Sequence, residues 1–188
     1  MSPAMNEFSM YGRAESAAGK SEDLGTVPHV SRRDFDERQT FRFRSQTPCM
    51  EYMSLLIENA LLLRTHRGGR LYAGFERLSN MEPVVDRYMR IADISERVYV
   101  FGEPDWTPPK HPNMAVVKLR AGVPLTREWF VVADSPALRV AMVALEEEHA
   151  AATPHEELYF RALNTHDPSL VQLLASAAES LIDRSFNS

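Results

Sequence analysis

Three junctions in the chain place polar side chains where an apolar run stops. The run Val98-Tyr99-Val100-Phe101 gives way to Gly102-Glu103-Pro104-Asp105-Trp106, which sets two carboxylates and an indole just past the carboxyl end of a predicted strand. Ligands of open α/β sheets bind at such positions, and a solvated turn with Trp106 as a lid on the core fits the same residues. The run Glu128-Trp129-Phe130-Val131-Val132-Ala133 ends in Asp134-Ser135-Pro136. Asp134 then stands beside a predicted helix start, where it either caps the helix or joins a binding site. The third junction, Asn164-Thr165-His166-Asp167-Pro168, carries His166 beside Asp167. That couple could do acid–base work or hold a cation, although helix capping already accounts for Asp167.

Other reactive residue types carry weaker signals. Gly68-Gly69-Arg70 precedes a predicted strand instead of joining a strand to a helix, so it reads as a turn and not as a phosphate-cradling loop. Gly74 lies inside a predicted strand, which marks either close approach of a ligand or tight helix–sheet packing. His29, His66, His111, His149 and His155 show no metal-ligand spacing and read as surface positions. Cys49, the single cysteine, falls in the first turn of a predicted helix with no triad partner placed for it, and reads as a structural thiol.

Composition narrows the classes. A chain of 188 residues with 44% apolar and 25% charged residues can bury one sizeable core. A net charge of -5 offers no clustered cation surface for phosphates, so direct nucleic-acid binding is not expected. One cysteine excludes an internal disulfide framework and fits a reducing, cytoplasmic setting. The longest apolar run, Leu55 to Leu63, is broken by Glu58 and Asn59 and falls short of the ~20 residues a bilayer requires, so no membrane span is expected.

Four prolines organise the elements that must position these residues. Pro48, Pro83, Pro136 and Pro168 each precede a helical apolar period, and Thr47, Ser135 and Asp167 before them are good N-caps. The predicted helices carry Met50, Met53, Ile57 and Leu61; then Val85, Tyr88, Met89 and Ala92; then Leu138, Ala141, Met142 and Leu145; then Leu170, Leu173, Leu174, Ala178 and Leu181. Leu55, Leu56, Leu62 and Leu63 widen the first stripe beyond one face, which marks a central or an interface helix. Strands are predicted at Leu71 to Phe75, Val98 to Phe101, Met114 to Leu119, Glu128 to Ala133 and Glu157 to Leu163. The fold class is therefore α/β: a mixed central sheet of about five strands covered by about four helices. Residues 1–46 are expected to lie outside it, as a flexible or docking N-terminal tail in which Phe35, Phe41 and Phe43 are the anchors.

Four stretches together resemble a known family. They are Gly69-Arg70-Leu71-Tyr72-Ala73-Gly74-Phe75-Glu76-Arg77-Leu78; Arg97-Val98-Tyr99-Val100-Phe101-Gly102-Glu103-Pro104-Asp105; Pro124-Leu125-Thr126-Arg127 running on through Trp129 to Pro136; and Phe160-Arg161-Ala162-Leu163-Asn164-Thr165-His166-Asp167-Pro168. The sequence is similar to the DICT sensory domain, which accompanies diguanylate cyclases and two-component proteins in bacteria, over about Thr47 to the C-terminus. The resemblance implies an input module for signal transduction and supplies no ligand, so no binding residue is carried over.

The expected function is a free-standing, non-enzymatic regulatory domain that binds a small ligand, chromophore or protein partner and relays it to another protein. Its expected ligand-binding residues are Gly74, Phe101, Glu103, Asp105, Trp129, Asp134 and His166, with no catalytic residue, no metal ligand and no identifiable cofactor. Two alternatives stand beside it. One is a ligand-free adaptor that dimerises through the helix Pro48 to Leu63; the other is a small hydrolase or transferase using His166 and Asp167 with Glu103 and Asp105.

Overall fold

The computed structural model describes residues 3–64 and 67–186, so the reading of His66 as a surface histidine lies outside the described residues. The helices are α1 (Pro3–Asn6), α2 (Met10–Ala18), α3 (Arg32–Glu37), α4 (Thr47–Leu62), α5 (Val85–Ile94) and α6 (Pro168–Phe186). The strands are β1 (Glu22–Thr26), β2 (Thr40–Gln46), β3 (Arg70–Arg77), β4 (Arg97–Glu103), β5 (Met114–Lys118), β6 (Glu128–Ser135), β7 (Leu138–Glu146) and β8 (Tyr159–Thr165). All eight form one mixed sheet in the order β1-β2-β8-β7-β6-β3-β4-β5.

Strand chemistry explains why both faces of this sheet are covered. In β7, Val140, Met142 and Ala144 point to one face while Ala141 and Val143 point to the other, and all five are buried. The first face packs against α4 and α5 through Met50, Met53, Ile57, Tyr88 and Ile91. The second packs against α2 and α6 through Met10, Ala14, Leu174, Ala178 and Leu181. The α/β class stands, with eight strands instead of about five.

Three expectations change. The helix expected after Pro136 is strand β7: where nearly every residue is apolar, positions i, i+3, i+4 and i+7 are apolar by default and periodicity cannot separate helix from strand. Pro136 and Ala137 are instead the two loop residues of a β6–β7 hairpin in which Ser135 pairs with Leu138. Pro83 lies inside a 3₁₀ stretch, Leu78–Val84, and α5 begins after it at Val85.

Residues 1–46, expected as a flexible or docking tail, are part of the sheet with Phe35, Phe41 and Phe43 buried: β2 pairs antiparallel with β8 over its whole length and β1 extends the sheet beyond it. Along β2, Phe41, Phe43 and Ser45 are buried and alternate with Arg42, Arg44 and Gln46, the period-2 pattern of a strand with one face on the core. Arg44 grips Glu147 at 2.8 and 2.9 Å and lies over the Tyr159 ring. The Phe-Arg interleaving is thus sheet architecture. Among the described residues no helix is long and apolar enough to cross a membrane.

Since Phe41 is wholly buried, Phe41→Ala should lower the unfolding free energy of the full chain by about 3–5 kcal/mol. Urea denaturation followed by circular dichroism reads this directly. A change near zero would return the N-terminal segment to a loosely attached tail.

Candidate functional site

An apolar-walled recess lies on the first face, between α4, the 3₁₀ stretch before α5, and the rim of the sheet. It is a cleft of about 560 Å³. Its walls are largely apolar: Pro48, Tyr52 and Leu55 from α4, Phe75 from β3, Pro83 and Val84 from the 3₁₀ stretch, and Trp129 from β6. The indole is fixed in place because Trp129 Nε1 donates to Ser54 Oγ at 3.0 Å.

The polar end of the cleft comes from helix spacing. Ser54 and Glu58 are one helical turn apart on α4, so both face the cleft from the same side. Arg87, on α5, donates from Nη1 to Glu58 Oε1 at 2.6 Å. Glu58 has only 3% side-chain exposure. Burial raises its pKa, opposed by Tyr88 and Arg87. The wholly buried Tyr88 hydroxyl lies against this carboxyl on the side away from the cleft. Apolar walls with a few convergent polar groups are the usual make-up of a small-molecule site.

A second recess of about 600 Å³ adjoins the cleft along the sheet rim and shares Asn80 and His155 with it. Its polar side chains include Glu76, Glu103, Arg127, Glu146 and His149. Glu76 has a φ of 63°, in the left-handed region, where the β3–β4 register slips between Gly74 and Arg77. Burial raises the Glu76 pKa first, and the neighbouring Glu146 carboxyl raises it further. Among the described residues no group of His, Cys, Asp and Glu side chains is placed to hold a metal ion.

The seven expected ligand-binding residues fall into separate places. Trp129 lines the cleft. Asp105 stands just behind it, accepting from Ser79 N at 2.9 Å and Ser79 Oγ at 2.5 Å, and Ser79 is a cleft residue. Glu103 faces the neighbouring recess. Gly74 and Phe101 are on the opposite face: a Cβ on Gly74 would meet the Phe130 ring at 2.2 Å, and Phe101 packs on Phe130 with ring centroids 5.5 Å apart. Tight packing therefore accounts for Gly74.

Asp134 and His166 belong to the other rim of the sheet. In the β3–β6 register Asp134 pairs with Arg70 at the start of β3, whereas Trp129 pairs with Phe75 near its end. Asp134 caps no helix; it bonds Arg139 across the hairpin at 3.0 Å. His166 sits edge-on to Phe35 at 4.9 Å, with Nδ1 buried and unpartnered, and burial lowers its pKa. Asp167 accepts from Ser169 N at 3.0 Å and caps α6. Cys49 is buried, and burial raises its thiol pKa.

Glu58 and Arg87 form the polar end of the cleft, with Tyr88 behind Glu58, and sequence spacing did not select them. The available signal was the break in the apolar run at Glu58, since a charged residue on a buried stripe needs a partner. Much of the wide apolar face of α4 is spent within the chain: Met50, Met53 and Ile57 are buried, and Leu56, Leu61 and Leu62 pack partly against the same core, while Leu63 is exposed.

A family model described as the sensory domain in diguanylate cyclases and two-component systems, DICT, matches residues 43–147, more than half of the chain. It runs from the second half of β2 through α4 to the end of β7 and holds most of the residues that line the cleft and the rim recess, and it leaves β1, the first three residues of β2, β8 and α6 outside. No curated protein and no solved structure matches the chain.

The carboxyl pair in the rim recess sets a pH dependence. Glu76 holds its proton more tightly in the folded chain than in the unfolded one. Its contribution is therefore full below the ordinary carboxyl range and is lost as pH rises through the folded value. Glu76→Gln should leave stability nearly unchanged at about pH 4 and raise it at about pH 8.5, by on the order of 1 kcal/mol or more. Denaturant midpoints across this range check the trend, and parallel curves for the two proteins would contradict it.

Proposed function

The chain belongs to the DICT family of sensory domains, and from that premise we propose that it is a cytoplasmic signal-input module whose input is a small molecule bound in the cleft between α4 and α5. The observation that carries this reading is the cleft itself: about 560 Å³, apolar over most of its wall, with the buried Glu58 carboxyl and its half-buried partner Arg87 at one end. Occupancy transmits a signal only where the molecule binds one arrangement of the surrounding elements better than another. The cleft borders two helices and the 3₁₀ stretch, and α4 is followed by Leu63, a large apolar side chain that is 81% exposed. A partner docking at that end would sense a shift of α4.

Nile red, a neutral probe that fluoresces in apolar surroundings, tests the site. It should bind the full chain saturably at one site. Leu55→Trp, which adds bulk inside the cleft, should weaken binding by about tenfold or more, while Ser180→Trp in the distant groove between α2 and α6 should leave it unchanged. Equal binding by the wild type and Leu55→Trp would overturn the reading.

A further inference from the structure

The polar end of the cleft has hydrogen-bonding capacity to spare. Arg87 commits one guanidinium nitrogen to Glu58 at 2.6 Å, and a guanidinium carries five N–H donors. Glu58 offers two carboxylate oxygens and gives one to Arg87. The wholly buried Tyr88 hydroxyl lies against that carboxyl from behind the cleft wall, so the free capacity on the cleft side belongs to Arg87 and Glu58. A carboxylate and a guanidinium with donors and an acceptor to spare, set at the wall of an apolar recess, are the convergent polar groups that orient a ligand in such a site.

Three features define that ligand. The first is adjacency, since a carboxylate held against a guanidinium presents an acceptor next to a donor, and the matching edge has an N–H next to a C=O. The second is charge. A cation would meet Arg87 and an anion would meet Glu58, whereas a neutral molecule with both functions disturbs neither partner of a buried pair that is costly to break. The third is shape, because Phe75, Trp129 and Tyr52 line the wall and the indole is pinned by Ser54. Aromatic faces favour a flat, unsaturated body.

We infer that the cleft selects a neutral, planar heteroaromatic molecule carrying a lactam edge, its N–H donated to the Glu58 carboxylate and its C=O accepting from the Arg87 guanidinium. This rests on the ligand-binding reading above and names the chemistry of that same site. The volume of about 560 Å³ leaves room for substituents beyond the ring system.

Three bicyclic probes of nearly one size test the inference on the full chain by ligand-observed saturation-transfer NMR, with displacement of Nile red as a second readout. Isoquinolin-1(2H)-one has the lactam edge, 2-methylisoquinolin-1-one has its N–H blocked, and naphthalene has neither group. The lactam should bind at least about tenfold more tightly than either of the others, the discrimination expected of hydrogen bonds to charged groups. In the double variant Glu58→Leu, Arg87→Met, which leaves no lone buried charge, that preference should vanish while naphthalene binding stays within about twofold. If the double variant does not fold, the three-probe comparison on the wild type still decides the matter. Equal affinities for the three probes, each displacing Nile red, would overturn the lactam inference and leave the cleft as an apolar binding site. Failure of all three to bind, with Nile red insensitive to Leu55→Trp, would overturn both readings.

Discussion

The central strands carry apolar side chains on both faces, and the rest of the structure follows from the need to keep both faces dry. In β6, Val131 and Ala133 look toward α4 and α5 while Phe130 and Val132 look toward α2 and α6. Each such side chain contributes roughly 1.5–3 kcal/mol when fully buried, so leaving either layer open would cost far more than the few kcal/mol that separate folded from unfolded chains. The second layer is built from both termini. Helix α6 covers Phe130, Val132 and Val143 with its Leu170, Leu174 and Ala178 stripe, and α2 completes the cover with Met10 and Ala14. The start of α2 is held by Glu128 at the head of β6, which accepts from Met10 N at 2.8 Å and also engages the Ser9 hydroxyl. The matched family segment ends before α6 and begins after α2, so cover from outside that segment completes its sheet.

The same proline signal has two physical meanings here, and that limits how much of the fold was legible. Proline presets φ near the value needed both at the first position of a helix and at the leading corner of a turn. Asp167-Pro168 opens α6, and Asp167 caps it. Ser135-Pro136 closes a hairpin instead. What separates them is burial on the far side: β7 is apolar on both faces, while α6 leaves one side of its stripe to polar residues such as Gln172, Glu179 and Asp183. The five expected strands all formed. The missed β2 did show its alternation, Phe41 and Phe43 against Arg42 and Arg44, but its arginines resembled a solvated surface because their partners Glu15 and Glu147 are 27 and 103 residues away.

Strand direction explains why the expected site scattered. Carboxyl ends of strands gather at one rim only when the strands run parallel, as β3, β4 and β5 do. Because β6 and β8 run the other way, Asp134 and His166 end at the far rim from Glu103 and Asp105. The two short β–β links made a mixed sheet predictable, but not the rim on which each strand end would fall. Trp129 was found for a different reason, since it lies at the start of its strand, beside the carboxyl end of β3. The polar centre of the cleft comes from a helix, and its mark in the sequence is one carboxylate, Glu58, set into a run of leucines.

That carboxylate is a poor choice if stability alone is at stake. Replacing a buried ion pair by apolar side chains of similar size is often neutral or stabilising, whereas removing one partner is strongly destabilising. Glu58 and Arg87 therefore act as a positional constraint: α4 and α5 can move apart only by leaving a charge in an apolar setting. With Arg87 partly exposed at 29% and Glu58 at 3%, the burden falls on the carboxylate. Since the pair also lines the cleft, a molecule bound there as proposed would touch the bond that holds the two helices together. Coupling between occupancy and helix position would then need no long path through the sheet, because the contact that recognises and the contact that restrains would be the same one.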